Sequence, residues 1–197
     1  MSVVKLEVIG TIKDGIGIGT KNIGPILVNL LLWILTIWIP YINVGTTIGL
    51  FIGIISKASK GEAIPFTEIF DKKYRKYMGE FFLVCGFVYL GAVIGMFFFI
   101  IPGIIIYMAW LFAPLITIDK GKNPTEAITL SNNATYGNKW RIFAIFFLIS
   151  LAYFILVTVF NFIPFIGILL VIAVALLYMF VFIGVMASMY RQLTENI

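Results

Sequence analysis

All 23 charged side chains of this 197-residue chain lie outside three unbroken tracts, residues 22–56, 81–118 and 142–190. Those tracts are 35, 38 and 49 residues long. A helix needs about 20 apolar residues to cross a hydrocarbon core about 30 Å thick. The shortest tract, drawn as one straight helix at 1.5 Å per residue, would reach roughly 50 Å. One span per tract is too few and two fit. The composition agrees: 61% of residues are hydrophobic and 12% charged, with a mean hydropathy of +1.08. Such a chain belongs in a bilayer.

Each tract contains the string Ile-Pro-x-Ile, and the copies recur at intervals of 62 residues: Ile39-Pro40-Tyr41-Ile42, Ile101-Pro102-Gly103-Ile104 and Ile163-Pro164-Phe165-Ile166. Proline has no amide donor and disfavours helical geometry in the residue before it, so helices end there. Pro40, Pro102 and Pro164 are therefore read as the turns of three helical hairpins. The competing reading is a proline kink within a continuous helix, which the tract lengths oppose.

The expected fold is all-α: a polytopic membrane protein with six transmembrane helices arranged as three hairpins, plus amphipathic segments outside the membrane. The single membrane domain divides into residues 1–21, hairpin 1 (22–56), a charged loop (57–80), hairpin 2 (81–118), a second charged loop (119–141) and hairpin 3 (142–190). In and just after residues 1–21, Val8, Ile9, Ile12, Ile16 and Ile23 share one helical arc, as in an interfacial amphipathic helix. In the first loop, Pro65 to Phe70 reads as a helix start, with Phe66, Phe70 and Tyr74 at four-residue spacing. In the second, Asn123-Pro124-Thr125-Glu126 has a capping Asn, a proline at the first helical position and Glu at the third. Lys and Arg number three before the first span, six in 57–80, four in 119–141 and one in the tail, with none in the proline turns. The positive-inside rule then places both termini and both loops in the cytoplasm of a plasma (inner) membrane.

The spans carry stripes of small residues: Gly45, Gly49 and Gly53; Gly91 and Gly95; Ala109 and Ala113; Gly184 and Ser188. Small residues let helix backbones approach closely in lipid, and the expected use is packing within the bundle. No Asp, Glu, Lys, Arg or His lies within the tracts, which counts against ion-coupled pumps and proton relays. Asn29, Thr46 and Thr158 are the polar intramembrane candidates. Hydroxyls commonly bond back to their own helix, and for Asn29 a helix–helix hydrogen bond is the first expectation. Lys72, Lys73, Arg75 and Lys76, interleaved with Tyr74 and Tyr77, form the densest basic cluster. With Lys139 and Arg141 flanking Trp140, they are the candidates for anionic lipid headgroups. Asp71 and Glu80 dilute the patch, so nucleic acid is not an expected partner.

Without histidine, imidazole catalysis and imidazole metal ligation are absent, and the single Cys85 rules out an intramolecular disulfide. Asp119 and Glu126 alone make a weak catalytic or metal signal. No catalytic residue, metal or cofactor is assigned.

Several short strings carry a resemblance: Ile101-Pro102-Gly103-Ile104, Ala113-Pro114-Leu115, Asp119, Glu126-Ala127, Ser131 and Gly137-Asn138-Lys139-Trp140. With the 53–61 stretch and Phe66 to Phe70, they resemble six-helix integral membrane proteins of unknown function related to the membrane domain of glycerophosphoryl diester phosphodiesterases. That resemblance implies a six-span fold and no activity. The soluble phosphodiesterase barrel and its metal-binding acids are not in this chain, so hydrolysis does not carry over. Asp119, Glu126 and Ser131 match positions in the loop before the fifth span and are expected to dock that loop on the bundle.

The expected role is non-enzymatic: a membrane-organising or accessory scaffold contacting anionic lipid at its cytoplasmic face, working with a second copy or another membrane protein. The alternative is a transporter or exporter of an apolar, lipid-like or peptide cargo without a coupling carboxylate. That alternative calls for a polar cavity at mid-membrane near Asn29, Thr46 or Thr158. The orientation predicts that a reporter fused after Ile197, responsive only outside the cell, stays silent in intact cells. A signal there overturns it.

Overall fold

A computed structural model describes residues 4–195; residues 1–3 of the N-terminal segment and the last two of the tail lie outside it. Every regular element among the described residues is helical. In chain order they are α1 (Val8–Lys21), α2 (Ile23–Thr36), α3 (Pro40–Ile48), a π turn (Gly49–Gly53) running into α4 (Ile54–Ser59), and a 3-10 turn (Glu68–Phe70). Then come α5 (Lys72–Lys76), α6 (Met78–Phe98), α7 (Ile100–Trp110), α8 (Ala113–Lys120), α9 (Pro124–Thr135), α10 (Lys139–Asn161) and α11 (Gly167–Thr194). Among the described residues, five stretches are long and apolar enough to cross a membrane: Pro40–Ser59, Met78–Phe98, Ile100–Lys120, Lys139–Asn161 and Gly167–Thr194. A sixth arises if α1 and α2, bent by 69° at Asn22, count as one broken span.

Hairpins 2 and 3 are each closed by contacts between their own two arms. Between α6 and α7, Gly95 lies against Gly103 and Gly91 against the Trp110 ring, where any Cβ would collide. Gly103 in turn sits on Met96. Between α10 and α11 aromatic contacts take over: Tyr153 and Tyr178 rings lie 4.6 Å apart, and Phe146 and Phe182 5.8 Å. Where lipid tails are as apolar as the side chains, such close dispersion contacts are what hold helices together.

The reversal in hairpin 2 is not at Pro102. The helix breaks at extended Phe99 (φ −159°, ψ 142°), and Pro102 sits in the first turn of α7. An amide there has no carbonyl to bond within the helix, so proline is tolerated and its fixed φ suits the helix. Pro40 is the first residue of α3. Pro164 lies in the turn before α11, next to Phe165 at φ 62°.

The N-terminal segment is helical, but glycines rather than isoleucines form its protein-facing side. Thr11, Gly15 and Gly19 are buried, whereas Ile9 and Ile16 face outward. Gly15 packs on Val185, Gly19 on Phe180, and Gly184 on the Gly15 carbonyl. The falling numbers on α11 make the pair antiparallel. Of the isoleucine arc, Ile9 and Ile16 are exposed, while Val8, Ile12 and Ile23 pack against the core.

The Pro65 to Phe70 helix start is reduced to the 3-10 turn. The Ile69 amide bonds the Asn29 side chain (3.1 Å), and the Glu68 side chain turns inward, only 2% exposed. Asn123 does cap α9, accepting from the Glu126 amide at 2.9 Å. The Glu126 carboxylate engages Lys122 (2.6 Å).

Gly17 faces open space, and the Cβ of an alanine at Gly15 would meet Val185 backbone. Gly17→Ala is expected to leave thermal stability in detergent unchanged or raise it by up to about 1 kcal/mol. Gly15→Ala is expected to lower it by about 1–3 kcal/mol.

Candidate functional site

The polar side chains gather at one end of the bundle, and α4 is their hub. Ser56, Lys57 and Lys60, at helical spacing, feed two separate buried carboxylates. Asp119, near the end of α8, has a side chain 5% exposed. It accepts from the Ser56 hydroxyl, from the Lys60 ammonium at 2.5 Å and from the Tyr190 hydroxyl of α11 at 3.0 Å. One carboxylate thus ties α4, α8 and α11 together. Lys120, the next residue, donates to the Thr194 carbonyl at 3.1 Å.

The second carboxylate is Glu68. It receives the Tyr74 hydroxyl and pairs with Lys57 (3.0 Å) and Lys73 (3.5 Å). Burial, then the hydrogen bond and charge of Glu68, hold the Tyr74 phenol far above its ordinary range, so it stays a neutral donor. Asn29 completes this unit. Its amide donates to the carbonyls of Pro25 (2.9 Å) and Pro65 (2.8 Å) while its oxygen accepts from Ile69. The partner of Asn29 is therefore the charged loop.

A third knot joins α1 to α11. Asp14 accepts from Ser188 (2.5 Å) and Arg191 (2.7 Å), and Gln192 reaches Thr11 at 3.4 Å. A fourth docks α9. Proline 114 interrupts the helical ladder between α7 and α8, and Ser131 bridges the gap, accepting from the Phe112 amide (3.1 Å) and donating to the Ala109 carbonyl (2.8 Å). Asn138 holds the N-terminal segment through the Leu6 amide (2.9 Å) and the Val4 carbonyl (2.6 Å). Asp119 and Ser131 thus both make inter-element bonds. Glu126 bonds only near its own helix start.

The other sequence candidates separate. Gly45, Gly49 and Gly53 pack on the charged segment, against Arg75, Ile69 and Tyr74, rather than on another long helix. Ala109 and Ala113 are buried at the α7–α8 junction. Lys73 lies over the Tyr74 ring (4.9 Å) and Lys76 over Tyr77 (5.3 Å), while Lys72 and Lys76 are exposed. Lys139 donates to Asn132 (3.0 Å) and Arg141 to Asn138 (3.4 Å). Thr46 donates to the Ile42 and Asn43 carbonyls and Thr158 to the Phe154 carbonyl, each within its own helix. The basis of the Asp119 knot, Ser56 with Lys60 four residues on, went unread in the sequence. A hydroxyl and an amine one turn apart at the end of an apolar tract were its only signal.

Two clefts of about 430 Å³ each flank these knots. One lies at the charged end beside Lys60, Asp119, Tyr190, Arg191 and Thr194. The other is a furrow between α1, α10 and α11, walled by residues such as Ile9, Ile16, Leu148, Tyr153, Val174 and Tyr178. Among the described residues, no buried side-chain nitrogen or oxygen lacks a hydrogen-bond partner. No group of three or more Cys, Asp or Glu among them could hold a metal ion. The chain matches no protein-family model, no curated protein and no solved structure.

Lys60 is 46% exposed, so without Asp119 its ammonium can turn to water, whereas the buried Tyr190 hydroxyl loses its acceptor. Asp119→Ala is expected to lower stability by about 1–3 kcal/mol in detergent unfolding. Lys122→Ala breaks an exposed pair with Glu126 and is expected to change stability by less than about 1 kcal/mol.

Proposed function

We propose that this protein is a non-enzymatic membrane scaffold whose charged layer faces the cytoplasm and holds anionic lipid. The observation that carries the reading is the closure of the polar layer. Asp119, Glu68 and Asp14 each bind two or more side chains of the protein itself. A general base or a metal ligand needs a lone pair turned toward a substrate, and here the carboxylates are engaged in joining helices. Cations remain available for lipid: Lys72 and Lys76 stand exposed on α5.

Sidedness follows from the same distribution, since 13 of the 14 Lys and Arg precede the first span or lie in the two loops. Both termini are then cytoplasmic. The transport reading calls for polar groups free to meet cargo at mid-membrane. Thr46 and Thr158 spend their donors on their own helices, and Asn29 is committed to the charged loop. The furrow beside α1 is apolar-walled, and lipid tails suit it.

Each basic side chain near an anionic surface contributes about 1 kcal/mol. In detergent, phosphatidylglycerol is expected to raise the unfolding temperature more than phosphatidylcholine does. The double variant Lys72→Gln/Lys76→Gln is expected to bind phosphatidylglycerol about 30-fold more weakly, equivalent to about 2 kcal/mol. Equal stabilisation by the two lipids, or no change in the variant, sinks the anionic-lipid reading.

A further inference from the structure

We infer that the first hairpin, taken to the end of α4 as residues 22–59, lies flat in the membrane face that carries the charges, with its apolar edge in that one leaflet, and does not cross the bilayer. Three observations point the same way. First, α2 has only 14 residues, about 21 Å of helix against a hydrocarbon core of about 30 Å. Its continuation backward into α1 is broken by the 69° bend. Second, Pro40–Ser59 is long enough to cross, yet 67% of it is buried in protein, more than any other stretch of that length.

The third observation decides. Two points far apart on α3–α4 touch the same charged layer. At one, Ser56 and Lys60 bond Asp119, beside Lys120 and Arg191. At the other, Gly45 lies under the Arg75 side chain. Arg75 is two residues before Tyr77, whose hydroxyl comes within 3.5 Å of a Cβ placed on Gly121, the residue after Lys120. Gly45 and Lys60 are about 22 Å apart along a helix. An upright hairpin with Pro40 on the far side would lift Arg75, with exposed Asp71, Lys72 and Lys76, to the middle of the hydrocarbon. Charges there are tolerated only when paired or in a watery cavity, and Lys72 and Lys76 are neither. Laid flat, the same hairpin keeps all four in the headgroup layer.

The occupant of its outer edge follows. Leu31, Leu35, Trp38 and Tyr41 project outward from the hairpin, Trp38 being 85% exposed. Tryptophan and tyrosine favour the membrane–water boundary, and an apolar face beside exposed lysines fits an anionic leaflet. The protein then crosses the bilayer four times, through hairpins 2 and 3, and wedges one leaflet with hairpin 1.

The test uses full-length protein carrying Cys85→Ser and one new cysteine: Trp38→Cys, Phe162→Cys or Glu195→Cys, with Tyr41→Cys as a second probe of the first turn. A membrane-impermeant maleimide is applied to intact cells and to inverted vesicles. Positions 38 and 41 are expected to react on the same side as 195, and 162 on the opposite side. Reaction of 38 and 41 on the side of 162 overturns the inference, as does their protection in both preparations. The inference rests on the charged layer lining one membrane face, not on which face that is. Reaction of 195 in intact cells would sink the cytoplasmic orientation alone, because 38 and 41 are judged against 195.

Discussion

Excluding charge from hydrocarbon is the constraint on which the rest of this structure depends. A chain that threads apolar helices through lipid gains nothing from apolar burial between them. Polar groups can supply directional bonds, but only where water or headgroups can share the cost of their charge. This protein puts its charged pairs in one layer and uses them there as joints. Asp119 is the clearest case, since its two oxygens collect α4, α8 and α11. Without that joint, Lys60 and Tyr190 would face each other at the end of the bundle with no acceptor between them.

Below that layer the joints change character. The α1–α11 contact is built on Gly15, Gly19 and Gly184, and α6–α7 on Gly91, Gly95 and Gly103. Such contacts work by bringing backbones close and have no tolerance for an added methyl group. The two kinds of joint cooperate on α11. Ser188 and Arg191 fix the register of α1 through Asp14, and that register presents Gly15 and Gly19 to Val185 and Phe180. A shift of one residue would put Ile16 or Ile18 where only glycine fits.

Much of this was legible in the sequence because it follows from strong, local rules. Absence of charge over 35 or more residues leaves a chain little choice but apolar helix, and the helices are where the tracts are. The stripes at Gly91, Gly95 and Gly184 mark close contacts as their spacing suggests. The failures share a cause: each required knowing a neighbour. Gly45, Gly49 and Gly53 form as regular a stripe as any, but spacing shows that a backbone approaches closely and not which one. Here it is the charged segment around Ile69 and Tyr74. The isoleucine arc of α1 reads as the face of an interfacial helix, but nothing in it shows that Thr11, Gly15 and Gly19 on the other side pack on α11. In lipid an outward isoleucine loses nothing and a glycine facing protein gains contact. Pro102 misled for a smaller reason, since one residue in the first turn of a helix and one in a loop both satisfy proline.

The three Ile-Pro-x-Ile copies show how far a local motif can differ in setting. Each reverses or begins a helix, yet what surrounds it depends on the length of apolar chain on either side. The copy at Pro164 sits between α10 of 23 residues and α11 of 28, each long enough to cross the bilayer. Pro102 follows a 21-residue helix and opens a 21-residue stretch. Pro40 has only the 14 residues of α2 before it. The segment after α4 folds back along its partner helix, filling with Tyr74 and Arg75 the groove that glycine leaves open. A short arm and an occupied groove are one arrangement seen from two sides. An arm too short to reach the far headgroups leaves its hairpin near the charged layer, and only there can a lysine-rich segment pack against it without entering hydrocarbon.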